Sequence, residues 1–307
     1  MSDIRSSEVA FAGVRFIRGN PGAVAIWAGV YLLAAFVLVG ALIFMAGPDI
    51  GRLQSLDTGS AAVSDVGLDL LFRAGPAFVL VGLAACAAFS MVYAGAARAV
   101  LRPEQKAGAY LRLGADELRQ FLLFLLMAVV FLAAYLAVAM AATAVVVGGI
   151  LLLRDTGAGG VAIGILVGVV GAIAVVCGAI YCAVRLSLAS PLTFDRGRVD
   201  LFGSWALTKG RFWSLLGAYL LAWLVAMIVN AASAVINLTV LGVGGGLSGL
   251  MQGNAPDMSS LAAYFTPAVV AGLVVSAAAA AMMWPIMLMP ASEVYRQITG
   301  DNPADAF

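Results

Sequence analysis

Six long stretches without a charged residue constrain the fold of this chain more than any other feature. They cover residues 19–48, 74–97, 120–153, 156–184, 212–256 and 258–292. A helix needs about 20 apolar residues to cross the hydrocarbon core of a bilayer. After the glycine-rich and polar ends are trimmed, the stretches predict six transmembrane helices at 22–46, 75–98, 120–147, 159–186, 212–240 and 262–289. The expected fold class is all-α integral membrane, with residues 1–307 in a single membrane domain.

The composition agrees with a membrane location. The chain is 63% hydrophobic and 11% charged, whereas a soluble domain has about 25% charged residues. The first apolar run is longer than a signal-peptide core of about 7–15 residues, so it predicts a retained span. With a net charge of +1 and no basic patch, the expected partners are membrane lipids and not nucleic acid.

The connections between the predicted spans alternate in charge. Fourteen Arg and Lys residues lie on one side, and three, Arg52, Arg73 and Arg154, lie on the other. Basic residues in short loops remain on the cytoplasmic side. The sequence therefore predicts that the N-terminus and the C-terminus are both cytoplasmic.

Three segments on the predicted inner side resemble one another. They read FAGVRFIRGNPG from Phe11, YLRLGADELRQF from Tyr110 and FGSWALTKGRFW from Phe202, and the second is the least similar. Each segment precedes two predicted spans. This pattern indicates three repeats of an interfacial amphipathic helix plus a transmembrane hairpin, at 6–100, 105–187 and 199–298.

The first and third of these segments place basic residues beside apolar ones. Phe16 and Trp205 are expected to enter the inner leaflet, with the cations at its surface. The alternative is a surface that docks a partner protein. The candidate contacts to lipid headgroups are Arg15, Arg18, Lys209 and Arg211.

Small residues predict where spans pack closely. Gly160, Gly164 and Gly168 follow one another at spacings of four in the fourth span, a pattern typical of close helix contacts in lipid. The contact could lie within one chain or between two copies in a homo-oligomer. In the sixth span, Pro285 predicts a kink near Trp284.

The residues give no sign of catalysis. Histidine is absent, the spans contain no acidic residue, and the three cysteines lie inside apolar runs as expected for packing residues. We therefore expect no enzyme, no cofactor and no metal. Arg98 is expected to extend to the headgroups and Glu117 to favour a helix start. Asp200 lies in a mixed-charge loop, either solvated or a headgroup or metal site.

The most specific polar feature lies in the fifth span. Asn230, Ser233 and Asn237 share one helical face, and this face must meet protein or water because lipid cannot satisfy an amide. They are expected to form hydrogen bonds between helices or, alternatively, to line a polar path or contact a substrate.

Three quoted stretches carry a resemblance. YLRLGADELR, FGSWALTKGRFWSLLGAYLL and ASEVYRQITG resemble a broad set of bacterial six-helix membrane proteins of uncharacterised function, similar to the membrane domain attached to some glycerophosphodiester phosphodiesterases. In those two-domain relatives, catalysis belongs to a soluble barrel with histidines and carboxylates. The resemblance transfers no catalytic residue, because these 307 residues contain no histidine. It implies a bacterial inner membrane.

These observations favour a non-enzymatic inner-membrane protein that acts as a scaffold or lipid-associated accessory factor. The alternative is a channel or transporter for a small or amphiphilic solute. A continuous cavity lined by Asn230 and Asn237 would favour transport, and a tightly filled centre would favour a scaffold.

Overall fold

A computed structural model describes residues 6–54, 62–153, 158–243 and 256–300. Within these ranges, six helices are long and apolar enough to cross a membrane, as predicted. Numbered in chain order, the helices are α1 (Ser6–Ala10), α2 (Ala12–Gly19), α3 (Pro21–Gln54), α4 (Ala62–Leu101), α5 (Ala115–Leu153), α6 (Ala158–Leu186), α7 (Ala189–Arg196), α8 (Gly203–Leu207), α9 (Phe212–Val243), α10 (Leu261–Tyr264) and α11 (Pro267–Thr299). The six spans are α3, α4, α5, α6, α9 and α11.

The spans are longer than the transmembrane helices predicted from the sequence. α4 has 40 residues, which corresponds to about 60 Å, twice the hydrocarbon thickness of ~30 Å. Its polar beginning carries an ion pair between Arg73 and Asp69 at 2.8 Å, one turn apart. Such helices project beyond the hydrocarbon core at their charged ends.

The six spans pack side by side in a closed ring. Among them, α11 contacts the largest number of other helices. α3 packs on α4, α4 on α5, α5 on α6, α6 on α9 and α9 on α11, and α11 returns to α3. α11 also contacts α4, α7 and the two N-terminal helices. The short helices α1, α2, α7 and α8 and a 3₁₀ turn at Ala107–Tyr110 gather at one end of this ring, which we call the helical end. We call the opposite end the loop end.

Helix α2 is embedded in the helical end. Phe16 is buried, with its ring centroid 5.6 Å from that of Trp27 and 5.8 Å from that of Tyr110. A Cβ atom at Gly13 would lie 2.3 Å from the carbonyl oxygen of Pro285, so only glycine allows the two backbones to approach this closely. The expectation that Phe16 enters the lipid is wrong, because an apolar helix face can be covered equally well by protein.

The three similar segments adopt different local structures. Phe11 lies between α1 and α2, Tyr110 lies in the 3₁₀ turn, and Phe202 precedes α8. Phe11 and Phe202 are 40% and 70% exposed, whereas Tyr110 is 3% exposed. The middle segment does not form an interfacial helix, since a turn and an extended stretch precede α5 there.

Close glycine contacts occur at the loop end of α3. A Cβ at Gly47 would lie 2.9 Å from the carbonyl oxygen of Met258, and one at Gly51 would lie 2.7 Å from the Cβ of Ser259. Asp257 accepts hydrogen bonds from the side chain and from the backbone N–H of Ser259, and these hold the pKa of Asp257 below its usual range. The segment before α10 is thereby fixed against the first span.

Packing density differs sharply along the ring. Every residue from 166 to 180 in α6 is exposed, and so is every residue from 131 to 138 in α5. Eight consecutive residues cover every direction around a helix. These parts of α5 and α6 are therefore only loosely packed against other spans, whereas the helical end is densely packed.

Candidate functional site: a polar groove between two spans

The predicted polar face of the fifth span is directed towards α11. Ser233 and Asn237 are half-buried and Asn230 is exposed. The amide nitrogen of Asn237 donates to the hydroxyl oxygen of Ser276 on α11 at 3.3 Å and to that of Ser233 at 3.4 Å. The interhelical hydrogen bond expected from the sequence is therefore present at Asn237.

Around these side chains lies a groove of about 260 Å³ between α9 and α11. The polar groups that line it are amides and hydroxyls, and none of its lining residues is charged. A Cβ at Gly272 would lie 3.1 Å from the side-chain oxygen of Asn237, so this glycine keeps α11 close to the amide. The lining residues are Val229, Asn230, Ser233, Ala234, Asn237, Ser276, Ala279, Ala280 and Met283.

The groove begins where a row of buried alanines on α9 ends. Ala218, Ala222 and Ala226 are buried at spacings of four on this helix. The next position on the same α9 row is Asn230, which is exposed. Beyond Met283, α11 is buried at Pro285 and Ile286. The groove is therefore closed towards the helical end and open at its side.

The groove lies at hydrocarbon depth. At ~1.5 Å per residue, Asn237 is about 9 Å and Asn230 about 20 Å from Val243 at the end of α9. α9 has 32 residues and is about 48 Å long. If a ~30 Å hydrocarbon core is centred on it, Asn237 lies at the edge of that core and Asn230 lies about 11 Å inside it.

Sequence reasoning missed a buried ion pair at the helical end. The guanidinium of Arg98 donates to Glu117 at 2.6 Å, and the two side chains are 2% and 5% exposed. Arg98 also donates to the carbonyl oxygen of Tyr110. The expected extension of Arg98 to the headgroups is wrong, because the end of α4 lies beside the start of α5 and the opposite charges meet there. Glu117 pairs with this arginine in addition to lying at a helix start.

The 3₁₀ turn next to this pair has an unusual backbone. Ala109 and Tyr110 have φ values of 54° and 67°, in the left-handed region that non-glycine residues rarely adopt. The indole N–H of Trp27 donates to the carbonyl oxygen of Ala109 at 2.8 Å, and Arg98 holds the next carbonyl. Two buried donors, one from α3 and one from α4, thus hold the turn in this rarely adopted conformation.

Helix α7 joins three other elements through polar contacts. Gln120 of α5 donates to the carbonyl oxygen of Ser190 at 2.9 Å, and Tyr295 of α11 donates to Asp195 at 2.8 Å. Asp200 accepts a hydrogen bond from the backbone N–H of Gly203 and pairs with Arg196. The mixed-charge loop is structured in this way, and the described ranges contain no cluster of three or more potential metal ligands.

The candidate headgroup contacts all belong to the helical end. Arg15, Arg18 and Lys209 are exposed, and Arg211 is half-buried and donates to the carbonyl oxygen of Leu207 at 3.2 Å. Large aromatic side chains are exposed on the elements around Lys209 and Arg211, namely Phe202, Trp205 and Trp213 at 70%, 39% and 79%.

The glycine face predicted in the fourth span is not packed at Gly168. A Cβ there would meet no atom within 4 Å, so the expected contact within the chain is wrong at this position. The surroundings of Gly160 and Gly164 lie outside the part of α6 for which side-chain environments are described. At Gly160 and Gly164, close packing stays a prediction.

The fold defines a class, that of multi-pass helical membrane proteins. Comparisons with protein-family models, with curated proteins and with solved structures gave no match. The similarity to the membrane domain of glycerophosphodiester phosphodiesterases therefore stays a prediction.

Proposed function

We propose that this chain is a non-enzymatic protein of the bacterial inner membrane that holds lipid between its spans, as a scaffold or lipid-associated accessory factor. The observation that carries this proposal is that every residue from 166 to 180 on α6 is exposed. A helix exposed on all sides within a bilayer has lipid on its inner face as well as its outer face. Its backbone groups are satisfied internally, so acyl chains can cover both faces.

Exposed cations at the helical end support the same proposal. Arg15, Arg18 and Lys209 project from the surface that also carries Trp205 and Trp213. Aromatic and basic side chains together are typical of the membrane–water interface. We place the helical end, with both chain termini, on the cytoplasmic side, and we keep the three-unit repeat as part of the proposal.

Lipid retention tests this function. Native mass spectrometry of the protein in mild detergent should show bound phospholipid. The double variant Arg15→Gln/Arg18→Gln and the variant Lys209→Gln should retain a smaller share of anionic lipid. Arg73→Gln, which removes an exposed cation at the loop end, should not. Folded protein that carries no lipid under these conditions would contradict the proposal.

Thiol labelling tests the orientation. Ser7 and Ser259 are both exposed and lie at opposite ends of the bundle. In a background without Cys86, Cys177 and Cys182, Ser259→Cys should react with an impermeant thiol reagent in intact cells, and Ser7→Cys should react only after lysis. The opposite labelling pattern would reverse the topology.

A second candidate function is the carriage of an amphiphilic solute. The groove lined by Asn230, Ser233 and Asn237 favours it, because these groups offer hydrogen bonds at hydrocarbon depth. The closed end of the groove favours binding from the side over conduction along the bundle.

A further inference from the structure

We propose that the groove between α9 and α11 binds the uncharged end of a glyceride-type lipid, one that carries a free hydroxyl and ester carbonyls. This inference rests on the proposed function and names the class of lipid for one site.

The main evidence for a bound ligand is the side-chain amide of Asn230. Its side chain is exposed into the groove and makes no hydrogen bond within the described ranges of the chain. An unpaired amide is strongly unfavourable in hydrocarbon, because it loses its hydrogen bonds to water. In the membrane this amide therefore needs a polar occupant of the groove.

The lining sets the hydrogen-bonding character of that occupant. An asparagine amide offers two N–H donors and one carbonyl acceptor, and a serine hydroxyl can both donate and accept. The amide nitrogen of Asn237 already donates to the hydroxyl oxygens of Ser276 and Ser233. The side-chain oxygen of Asn237 therefore remains available as an acceptor. An occupant with a hydroxyl and a carbonyl can satisfy both kinds of group.

Depth and charge exclude an ionic headgroup. None of the lining residues is ionisable, since no Asp, Glu, Lys or Arg is among them. A charge placed near the level of Asn230 would be costly in hydrocarbon. A phospholipid keeps its phosphate at the surface, whereas an uncharged glyceride can sit deeper in the bilayer.

The size of the groove fits a lipid end and not a whole lipid. About 260 Å³ is below the ~300–1,000 Å³ of sites that enclose a drug-sized ligand. The acyl chains would therefore continue over the exposed apolar surface of α9. Met227 and Leu238, at 44% and 52% exposure, lie one turn from the groove on either side.

The test is competitive binding of dioleoylglycerol to the full-length protein in phosphatidylglycerol nanodiscs, read by native mass spectrometry. The wild-type protein should bind dioleoylglycerol above the level expected from its share of the lipid. Asn230→Leu should weaken this binding about threefold to tenfold, the range expected for one hydrogen bond. Its melting temperature should be unchanged or raised, because Asn230 has no hydrogen-bond partner among the described residues to lose.

Ile228→Leu is the matched control, since Ile228 is 70% exposed on the opposite side of α9. It should bind dioleoylglycerol as the wild type does. Equal binding by Asn230→Leu and Ile228→Leu, or retention of phosphatidylglycerol with no preference for dioleoylglycerol, would overturn this inference and leave the proposed function standing. Absence of all bound lipid would overturn both.

Discussion

The helical end differs in packing from residues 131–138 of α5 and 166–180 of α6, which are all exposed. At the helical end, α1, α2 and α7 fill the space between the spans, and even charged groups such as Arg98 are buried. In α5 and α6, whole turns of helix consist of exposed residues, and a Cβ added at Gly168, Gly171 or Gly178 would meet no atom within 4 Å. The difference shows that protein contacts hold the helical end together, and it is the basis of our proposal that lipid covers these parts of α5 and α6. Sequence changes in the two regions should therefore have very different effects.

The largest effect is expected at the buried ion pair. Removing one partner of such a pair costs about 3–5 kcal/mol, because an uncompensated charge stays buried. Arg98→Ala should therefore lower the melting temperature in detergent strongly, and Glu117→Ala should lower it less, because Asp116 remains 3.6 Å from the guanidinium. The control is Arg73→Ala, whose pair with Asp69 has side chains 58% and 57% exposed and should contribute about 0–1 kcal/mol. Similar losses at the two pairs would show that the helical end is not the stable part of the protein.

A smaller effect on stability is expected when glycines in the two regions are replaced by alanine. Gly13 lies at the helical end and Gly168 lies in the exposed part of α6. Gly13→Ala forces a methyl group against the backbone of Pro285, and overpacking of this kind costs typically about 1–3 kcal/mol. Gly168→Ala meets no atom, so it should leave the melting temperature unchanged or raise it slightly through the better helix propensity of alanine. Thermal unfolding of the two variants in the same detergent measures the contrast. A larger decrease in melting temperature for Gly168→Ala than for Gly13→Ala would mean that α6 is closely packed at Gly168 in the detergent-solubilised protein.

The sequence was sufficient to predict the six spans, because charge-free windows of this length have few other structures available. It also predicted that Asn230, Ser233 and Asn237 share a face. It did not identify Ser276 as the partner, since no local pattern states which helix lies opposite. The pairing of Arg98 with Glu117 was missed for a similar reason. It depends on how the end of one helix lies beside the start of the next.

Amphipathic patterns were the least reliable guide. The apolar face of α2 was expected to enter lipid, yet Phe16 is buried against Trp27 and Tyr110. Lipid and protein interior are both apolar, so periodicity alone does not distinguish them. The glycine spacing in α6 has the same ambiguity, because small residues permit a close contact without specifying a partner. Close contacts were found instead at Gly13, Gly47 and Gly51.

The division of the bundle into a packed and a lipid-filled part is tested most directly by collision accessibility of spin labels along α6. Single cysteines would be placed from 166 to 180 in the cysteine-free protein, labelled and reconstituted in lipid. A parallel scan from 218 to 229 on α9 serves as the control, where low values should recur at the buried positions Ala218, Ala222 and Ala226. For α6 we predict high accessibility to oxygen and low accessibility to a water-soluble nickel complex at every position. Low oxygen accessibility recurring every third or fourth residue would show that protein covers one face of α6 and would contradict the division.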